Sequence, residues 1–372
     1  MYIILHTAYK EYTLKVLITG DIHNGYGSDK RSLWAMKVIR EYAKRNKNPY
    51  VLVLGDLFDN RESLRIDTIS EVAQFFKEAD EVNEQGWIIF PGNHDMFLRN
   101  SWETNSLQFL SDHANIIEKI QKFDLDGRTF WVIPFIHNEE IYMKKVAEVN
   151  DLASPDDILL THVGVNGAVM NQCFLLKNWN IVNFKDTKFK YVFTGHFHNH
   201  QVIGGRVIYP GSPVAFRFDE GLVEHGFIEL DTTTGNWKFV STRITADQYG
   251  WDAPPDYVTI FDEDLADPDI KDVIKNNNVR VSLTKSHTQN ELEDLRKELE
   301  THEVSKIVWH KQKEDVVELK LDASQVIQKG ILEAYFEHDQ PDGINKELLL
   351  KLDEEISNTA EEIMLQEEET ED

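Results

Sequence analysis

Five short segments carry side chains that could do chemistry together: Asp21-Ile-His23, Gly55-Asp56, Gly92-Asn-His-Asp95, Thr161-His162 and Gly195-His-Phe-His198. They offer carboxylates, imidazoles and an amide oxygen, with no thiolate nearby. Such donors favour manganese, iron or zinc over magnesium and disfavour a purely structural zinc. Asp21, His23, Asp56, Asn93, His162, His196 and His198 make seven candidate ligands, enough for two divalent ions. Two ions about 3.5–4 Å apart that share a carboxylate activate water and clamp a phosphoryl group. Asp56 is the natural shared group, because its segment lies between the others. His94 adjoins a ligand but is not needed as one, so it is placed as general acid or as a stabiliser of phosphoryl charge. A lone Asp-x-His or Gly-x-His is usually an ordinary surface or hydrogen-bonded pair. The weight comes from all five segments together.

Chemistry at this spacing needs elements that bring the segments together. Leu14–Thr19, Val51–Leu54 and Trp87–Phe90 read as buried strands, with helices over 31–46 and 66–84 between them. This βαβαβ rhythm argues for a sheet with helices on its faces. Further strands are expected at Thr129–Ile133, Ile158–Thr161, Tyr191–Thr194, Val207–Tyr209, Gly226–Leu230 and Trp237–Thr242. Loops at the carboxyl ends of such strands converge where open α/β sheets bind their ligands. Two residues apart on an extended segment, Asp21 and His23, and likewise His196 and His198, are expected to point the same way.

Residues 13–250 read as one α/β sandwich, and Pro254-Pro255 reads as a linker. A small α+β unit is expected over 256–322, with strands Val279–Leu283, Ser305–His310 and Val316–Leu321 around helix Gln289–Glu300. Two helices follow in 323–366, the second carrying a Leu348, Leu352 and Ile356 stripe, and 367–372 form an acidic tail. The chain of 372 residues carries a net charge of −26. Residues 331–372 contribute 15 acidic and two basic side chains. Polyanion binding through the overall field is therefore excluded, and contact with nucleic acid must rely on local cations or metal ions. The 41% hydrophobic content excludes a mainly disordered chain. The single cysteine, Cys173, excludes a disulfide scaffold and reads as a small buried residue. The start MYIILHTAYKEY is too short in apolar residues for a signal peptide, and no later run approaches a membrane span. A cytoplasmic protein with no membrane association is expected, in the host cytoplasm if it is phage-encoded.

Together the five segments resemble the motif series of the calcineurin-like metallophosphoesterases. Within that superfamily the chain is similar to the SbcD/Mre nuclease family, above all to phage recombination-nuclease subunits. Asp56-Leu-Phe-Asp59, Tyr209-Pro-Gly-Ser-Pro213 and Phe216-Arg-Phe-Asp-Glu220 support this, as does the layout of the whole chain. The resemblance implies a metallophosphoesterase β-sandwich flanked by helices, a small α+β capping domain and a C-terminal helical hairpin. It implies that Asp21, His23, Asp56 and His198 hold one manganese ion and that Asp56, Asn93, His162 and His196 hold the other, with His94 catalytic. The implied activity is exonuclease and single-strand endonuclease cleavage in DNA end processing, recombination, repair and replication. The implied partners are DNA ends and single strands, an SbcC-like ATPase docked on the Leu348, Leu352 and Ile356 stripe, and a second copy in a homodimer. Lys30, Arg31 and Arg217 are candidate DNA contacts. Asp59 stands where some relatives have a histidine tied to phosphate handling, and the first dozen residues have no counterpart.

Two rivals are compatible with parts of this pattern. A phosphoesterase for small molecules or phosphoproteins shares all five motifs but needs neither the extra unit nor the hairpin. A non-catalytic scaffold on the same fold is expected to lose ligands, and here every candidate ligand and His94 are present.

Overall fold

The computed structural model describes residues 14–27, 30–81, 86–98, 101–169, 182–221 and 223–311. Cys173, the expected strand Val316–Leu321, the hairpin with Leu348, Leu352 and Ile356, and the acidic tail lie outside the described residues.

Apolar strands and amphipathic helices alternate first: β1 (Lys15–Thr19), α1 (Arg31–Arg45), β2 (Tyr50–Val53), α2 (Ile66–Glu81) and β3 (Gly86–Ile89). Next come β4 (Asn115–Ile116), β5 (Gln121–Leu125), β6 (Arg128–Ile133), α3 (Glu139–Leu152), β7 (Ile158–His162) and β8 (Tyr191–Gly195). The sandwich is completed by β9 (Gln201–Ile203), β10 (Val207–Tyr209), β11 (Gly226–Asp231), β12 (Trp237–Ser241) and α4 (Thr242–Gln248). Two six-stranded mixed sheets result, in the orders β12-β11-β1-β2-β3-β4 and β5-β6-β7-β8-β10-β9. In the first, β1 to β4 run parallel and β11 joins β1 antiparallel. In the second, β6, β7, β8 and β10 run parallel, with β5 and β9 antiparallel at the edges.

Strand periodicity explains the layering. Val16, Ile18, Leu52 and Ile88 of one sheet meet Phe130, Val132, Leu160, Phe193 and Ile208 of the other in one buried cluster. The alternate residues Leu17, Val51, Val53, Trp87 and Ile89 point the other way, onto Met36 and Ile39 of α1 and Val72, Phe75 and Phe76 of α2. On the far side Trp131, Ile133, Leu159 and Val192 meet Tyr142, Val146 and Val149 of α3. Both faces of each sheet are therefore covered, as near-continuous apolar parallel strands require. The fold is a mixed α/β sandwich of two sheets flanked by helices.

A third sheet follows Pro254-Pro255. It has the order β13 (Tyr257–Phe261), β14 (Asn278–Leu283) and β15 (Lys306–Lys311), with α5 (Ile270–Ile274) and α6 (Gln289–Thr301) alongside. Ile260, Ile274, Val279, Val281, Leu283 and Leu299 form its core. Thr288 opens α6 with a reciprocal capping box to Glu291. Several elements were not read from the sequence. These are α3, the short α4 and α5, the edge strands β4, β5 and β9, and β13, whose YVTIF pairs parallel with β14. Helix α2 is described from Ile66 to Glu81, and the remainder of the expected span lies outside the described residues.

Candidate metal centre

All seven candidate ligands sit at the carboxyl ends of five parallel strands drawn from both sheets: β1, β2 and β3 in one, β7 and β8 in the other. Backbone hydrogen bonds continue the β1–β2 pairing past the strand ends. Asp21 N–H donates to Gly55 O at 3.1 Å, His23 N–H to Asp56 O at 3.0 Å, and Asn24 N–H to Leu57 O at 2.8 Å. The first two loops are thereby zipped into one layer.

The local backbone is not extended. Asp21, His23, Asp56 and His196 have φ of 50°, 48°, 52° and 100°, a left-handed region that costs a non-glycine residue free energy. The expected same-side projection of an i, i+2 pair is therefore not what aims these side chains. The left-handed turns do so, and His196 and His198 consequently diverge. His196 Nδ1 lies 2.9 Å from Asn93 Oδ1, whereas His198 Nε2 lies 3.1 Å from His23 Nε2. Strain of this kind, concentrated in one cluster, persists only where the surroundings enforce it.

Two glycines show what enforces it. A Cβ on Gly92 would lie 2.2 Å from Asp56 Oδ1, and one on Gly55, at φ 90°, would lie 2.7 Å from both Gly92 Cα and His162 Nδ1. Only bare backbone lets the three loops close to this distance.

The contacts form two groups that share Asp21, and Asp56 of the second also reaches His23 of the first. Asp21, His23 and His198 place ligand atoms within 4.8 Å of one another, as do Asp21, Asp56 and His162. Asp56 Oδ2 lies 3.2 Å from His162 Nε2 and 3.9 Å from His23 Nε2, and Asn93 Oδ1 lies 3.0 Å from His162 Nε2. Asp21 also accepts the His196 N–H at 2.9 Å. Two imidazole Nε2 atoms facing each other, beside three carboxylate and amide oxygens, are a donor set built around cations. The residues therefore fit a pair of divalent ions, the imidazoles favouring manganese, iron or zinc over magnesium and the lack of thiolates disfavouring a structural zinc.

Proton positions bear this out electrostatically. Against the pull of burial, the charges of His162 and His23 hold the Asp56 carboxyl far below the ordinary range. Burial disfavours protonated His162, but Asp56's charge and hydrogen bond outweigh it and lift His162 to about 9. Burial and the charge on His162 push His196 down to about 3. An ion held through His162 Nε2 would require that nitrogen to be unprotonated.

His94 stands at the mouth. Its ring lies 5.0 Å from that of His23, and its Nδ1 is 2.6 Å from the Asp59 carbonyl oxygen. A carbonyl only accepts, so Nδ1 carries the hydrogen and Nε2 is left for a substrate. The Asp59 carboxylate lies 3.3 Å from His23 Nδ1, an ion-pair contact too far off line for a hydrogen bond. The open cleft here has a volume of about 240 Å³ and is lined by His23, Asp59, Asn93, His94, His198 and Arg217, among others.

The three basic candidates separate. Arg217 lines the cleft, with its Nε donating to Glu220 Oε1 at 3.1 Å. Lys30 pairs with Glu71 on α2 and does not line the cleft. Arg31 is 1% exposed; its guanidinium donates to Ala215 O and Pro255 O and stacks on the Tyr257 ring at 4.5 Å. Read from the sequence as a solvated helix start or a candidate DNA contact, Arg31 instead joins the sandwich to β13, since burial removes it from any surface.

Asp95 and Glu220 were quoted within motifs but given no role. Asp95 is 1% exposed and accepts the N–H groups of Gly92 at 3.0 Å, Phe58 at 3.1 Å and Leu57 at 3.3 Å, so it locks the second and third loops together. Burial and the charge of Asp56 raise its carboxyl to about 7. Its signal was position alone: an acid closing a Gly-Asn-His triplet, which can cap the turn that precedes it.

Fold and site together define a metal-dependent hydrolase of phosphoesters. Residues 14–200 match the family described as calcineurin-like phosphoesterase, half of the chain, and the chain belongs to that family. It is similar to exonuclease subunit 1 of Enterobacteria phage T4, with 24% identity over 254 residues, covering 62% of this chain and 69% of the phage protein. It also resembles protein 078R of Invertebrate iridescent virus 3, which carries a provisional phosphoesterase name. That match is 23% identical and covers 57% of this chain and 61% of 078R, so the chain spans less than two thirds of that relative. A solved archaeal phosphodiesterase aligns over 61% of this chain and 99% of its own, at 13% identity and a TM-score of 0.32.

Proposed function

We propose that the chain is a manganese-dependent DNA nuclease subunit that hydrolyses phosphodiesters near duplex ends and on single strands. The observation that carries the reading is the meeting of the seven candidate ligands in one cluster around Asp21, Asp56 and Asn93, with His94 at the cleft mouth. Similarity to a phage protein named as an exonuclease subunit supports DNA as the substrate.

When bound, the ions supply Lewis-acid activation of water and neutralise phosphoryl charge. Asp21, His23, Asp56 and His198 would hold one, and Asp56, Asn93, His162 and His196 the other. The chain's own groups do the rest. The zipped loops fix the ligands before substrate arrives, so little reorganisation is needed in the reaction. The Asp59 carbonyl accepts from His94 Nδ1 in either protonation state of the ring. His94 Nε2 can therefore pass a proton to the departing 3′ oxygen without the ring turning. Arg217 brings a guanidinium to a cleft in an otherwise acidic chain, suited to a phosphate oxygen.

The wider assembly belongs to the same proposal. The small α+β region orients DNA, residues 323–366 dock an SbcC-like ATPase through Leu348, Leu352 and Ile356, and two copies pair through the nuclease domain. The resemblance of the motif series to the SbcD/Mre family supports these three statements, together with cytoplasmic DNA processing. Among the described residues, no helix is long and apolar enough to cross a membrane.

The test is a manganese assay that compares linear duplex DNA, single-stranded DNA and a bis-aryl phosphodiester. DNA cleavage that disappears in Asp56→Ala is expected. Turnover of the small ester alone would overturn the nuclease reading while leaving the family activity in place.

A further inference from the structure

Each imidazole in the centre needs something behind it to fix which nitrogen faces the ions. His162 Nδ1 is backed by a backbone carbonyl, Leu54 O, at 2.7 Å. His23 Nδ1 has only the Asp59 carboxylate, 33% exposed and off line. His198 is different, because its Nδ1 lies 2.8 Å from Glu220 Oε1, on a residue only 4% exposed.

Glu220 is itself held from several sides. Its Oε2 accepts the Phe216 N–H at 2.7 Å, and its Oε1 also accepts from Arg217 Nε at 3.1 Å. The loop that carries it is pinned to the third sheet, where the Phe218 ring packs edge-on against Tyr257 at 5.0 Å and Arg280 sits over Phe218. A carboxylate with this support cannot swing away from His198.

We propose that Glu220 is a positioning residue of the metal centre. Its carboxylate fixes the Nδ1–H tautomer of His198 and aims Nε2 at the ion shared with Asp21 and His23. The proposal rests on the metallophosphoesterase reading of the site. It predicts unequal consequences, because Glu220 touches His198 and none of Asn93, His162 or His196. Glutamine cannot replace it. The two oxygens of Glu220 serve three N–H donors, His198 Nδ1–H and Arg217 Nε–H at Oε1 and Phe216 N–H at Oε2, whereas an amide offers one oxygen and presents donors on the other side.

The experiment is a manganese titration of chelator-treated wild type and Glu220→Gln, followed by calorimetry, with circular dichroism to verify the fold. Wild type is expected to take up two equivalents. In Glu220→Gln one equivalent should weaken about 10- to 100-fold and the other should stay put. Two unchanged equivalents would overturn the proposal, and so would equal weakening of both, which is what a merely structural role produces. Wild type that takes up no manganese would instead sink the functional reading beneath it. If the variant fails to fold, long-range ¹H–¹⁵N spectra of zinc-loaded wild type decide. An Nδ1–H tautomer at His198 supports the proposal and an Nε2–H tautomer overturns it.

Discussion

At the scale of single residues, the site separates holding from reacting. The seven ligands hold, and His94, whose Nδ1 is engaged by the Asp59 carbonyl, keeps Nε2 for the substrate. His94→Ser should therefore lower kcat about 10²- to 10⁴-fold while manganese occupancy, measured by elemental analysis, stays at the wild-type level. Retained turnover would remove His94 from the chemistry. The ligands were legible in the sequence because their types and order are the chemistry: acids, imidazoles and an amide, mostly behind apolar strands. Asp95 and Glu220 were not. Their meaning lies in N–H groups and a ring that reach them only after folding: Leu57 and Phe58 for Asp95, His198 for Glu220. Arg31 failed for a related reason. A basic residue at a helix start reads as solvated, and only the packed structure shows Ala215, Pro255 and Tyr257 closing over it.

At the scale of elements, strand ends are held by close backbone approach and by buried polar anchors between strands. Gly92→Ala tests the first. Its Cβ would collide with Asp56 Oδ1, so the variant should lose about 1–3 kcal/mol of stability and most of its manganese affinity, read by urea unfolding and by metal titration. Glu229 on β11 tests the second. It is 4% exposed, and its carboxylate accepts from Lys15 at 3.1 Å, from Tyr42 at 3.0 Å and from Asn48 at 3.3 Å, with Lys238 at 3.2 Å. Burial acts to raise its carboxyl, but these partners outweigh burial and hold it below the ordinary range. A depressed folded-state value means that the stabilisation is present above the unfolded carboxylate pKa of about 4.3 and is lost as pH falls below it. Glu229→Gln should thus cost about 2 kcal/mol at pH 7, and the gap to wild type should close in acid; a gap constant with pH would contradict this. Long apolar strands were readable from pattern, and among the described residues their boundaries moved by at most one residue. The edge strands β4 and β9 span only two and three residues and are defined by their neighbours rather than by their own sequence. Helix α3 was readable in principle, since Tyr142, Val146 and Val149 recur at helical spacing behind an Asn138 cap that accepts the Ile141 N–H. The charged Glu139, Glu140, Lys144, Lys145, Glu148 and Asp151 in the same segment mask that pattern.

At the scale of the whole molecule, an acidic chain gathers Asp21 and Asp56 into one buried pocket, an arrangement that cations stabilise. Removing divalent ions with a chelator should lower the melting temperature. Ions at 100 times their dissociation constant contribute about 2.7 kcal/mol, roughly 5–10 °C for a domain of this size, and manganese should restore it. An unchanged melting temperature would mean that no ion is bound in the folded state. The break at Pro254-Pro255 is legible in the sequence, but the described residues up to His310 form one compact unit, and β13 begins directly after the prolines. The most direct test of the account is anomalous diffraction at the manganese edge from crystals grown with manganese. Two peaks about 3.5–4 Å apart are expected, both within bonding distance of the Asp56 carboxylate and together touching Asp21, His23, Asn93, His162, His196 and His198. A single peak, or none touching Asp56, would contradict it.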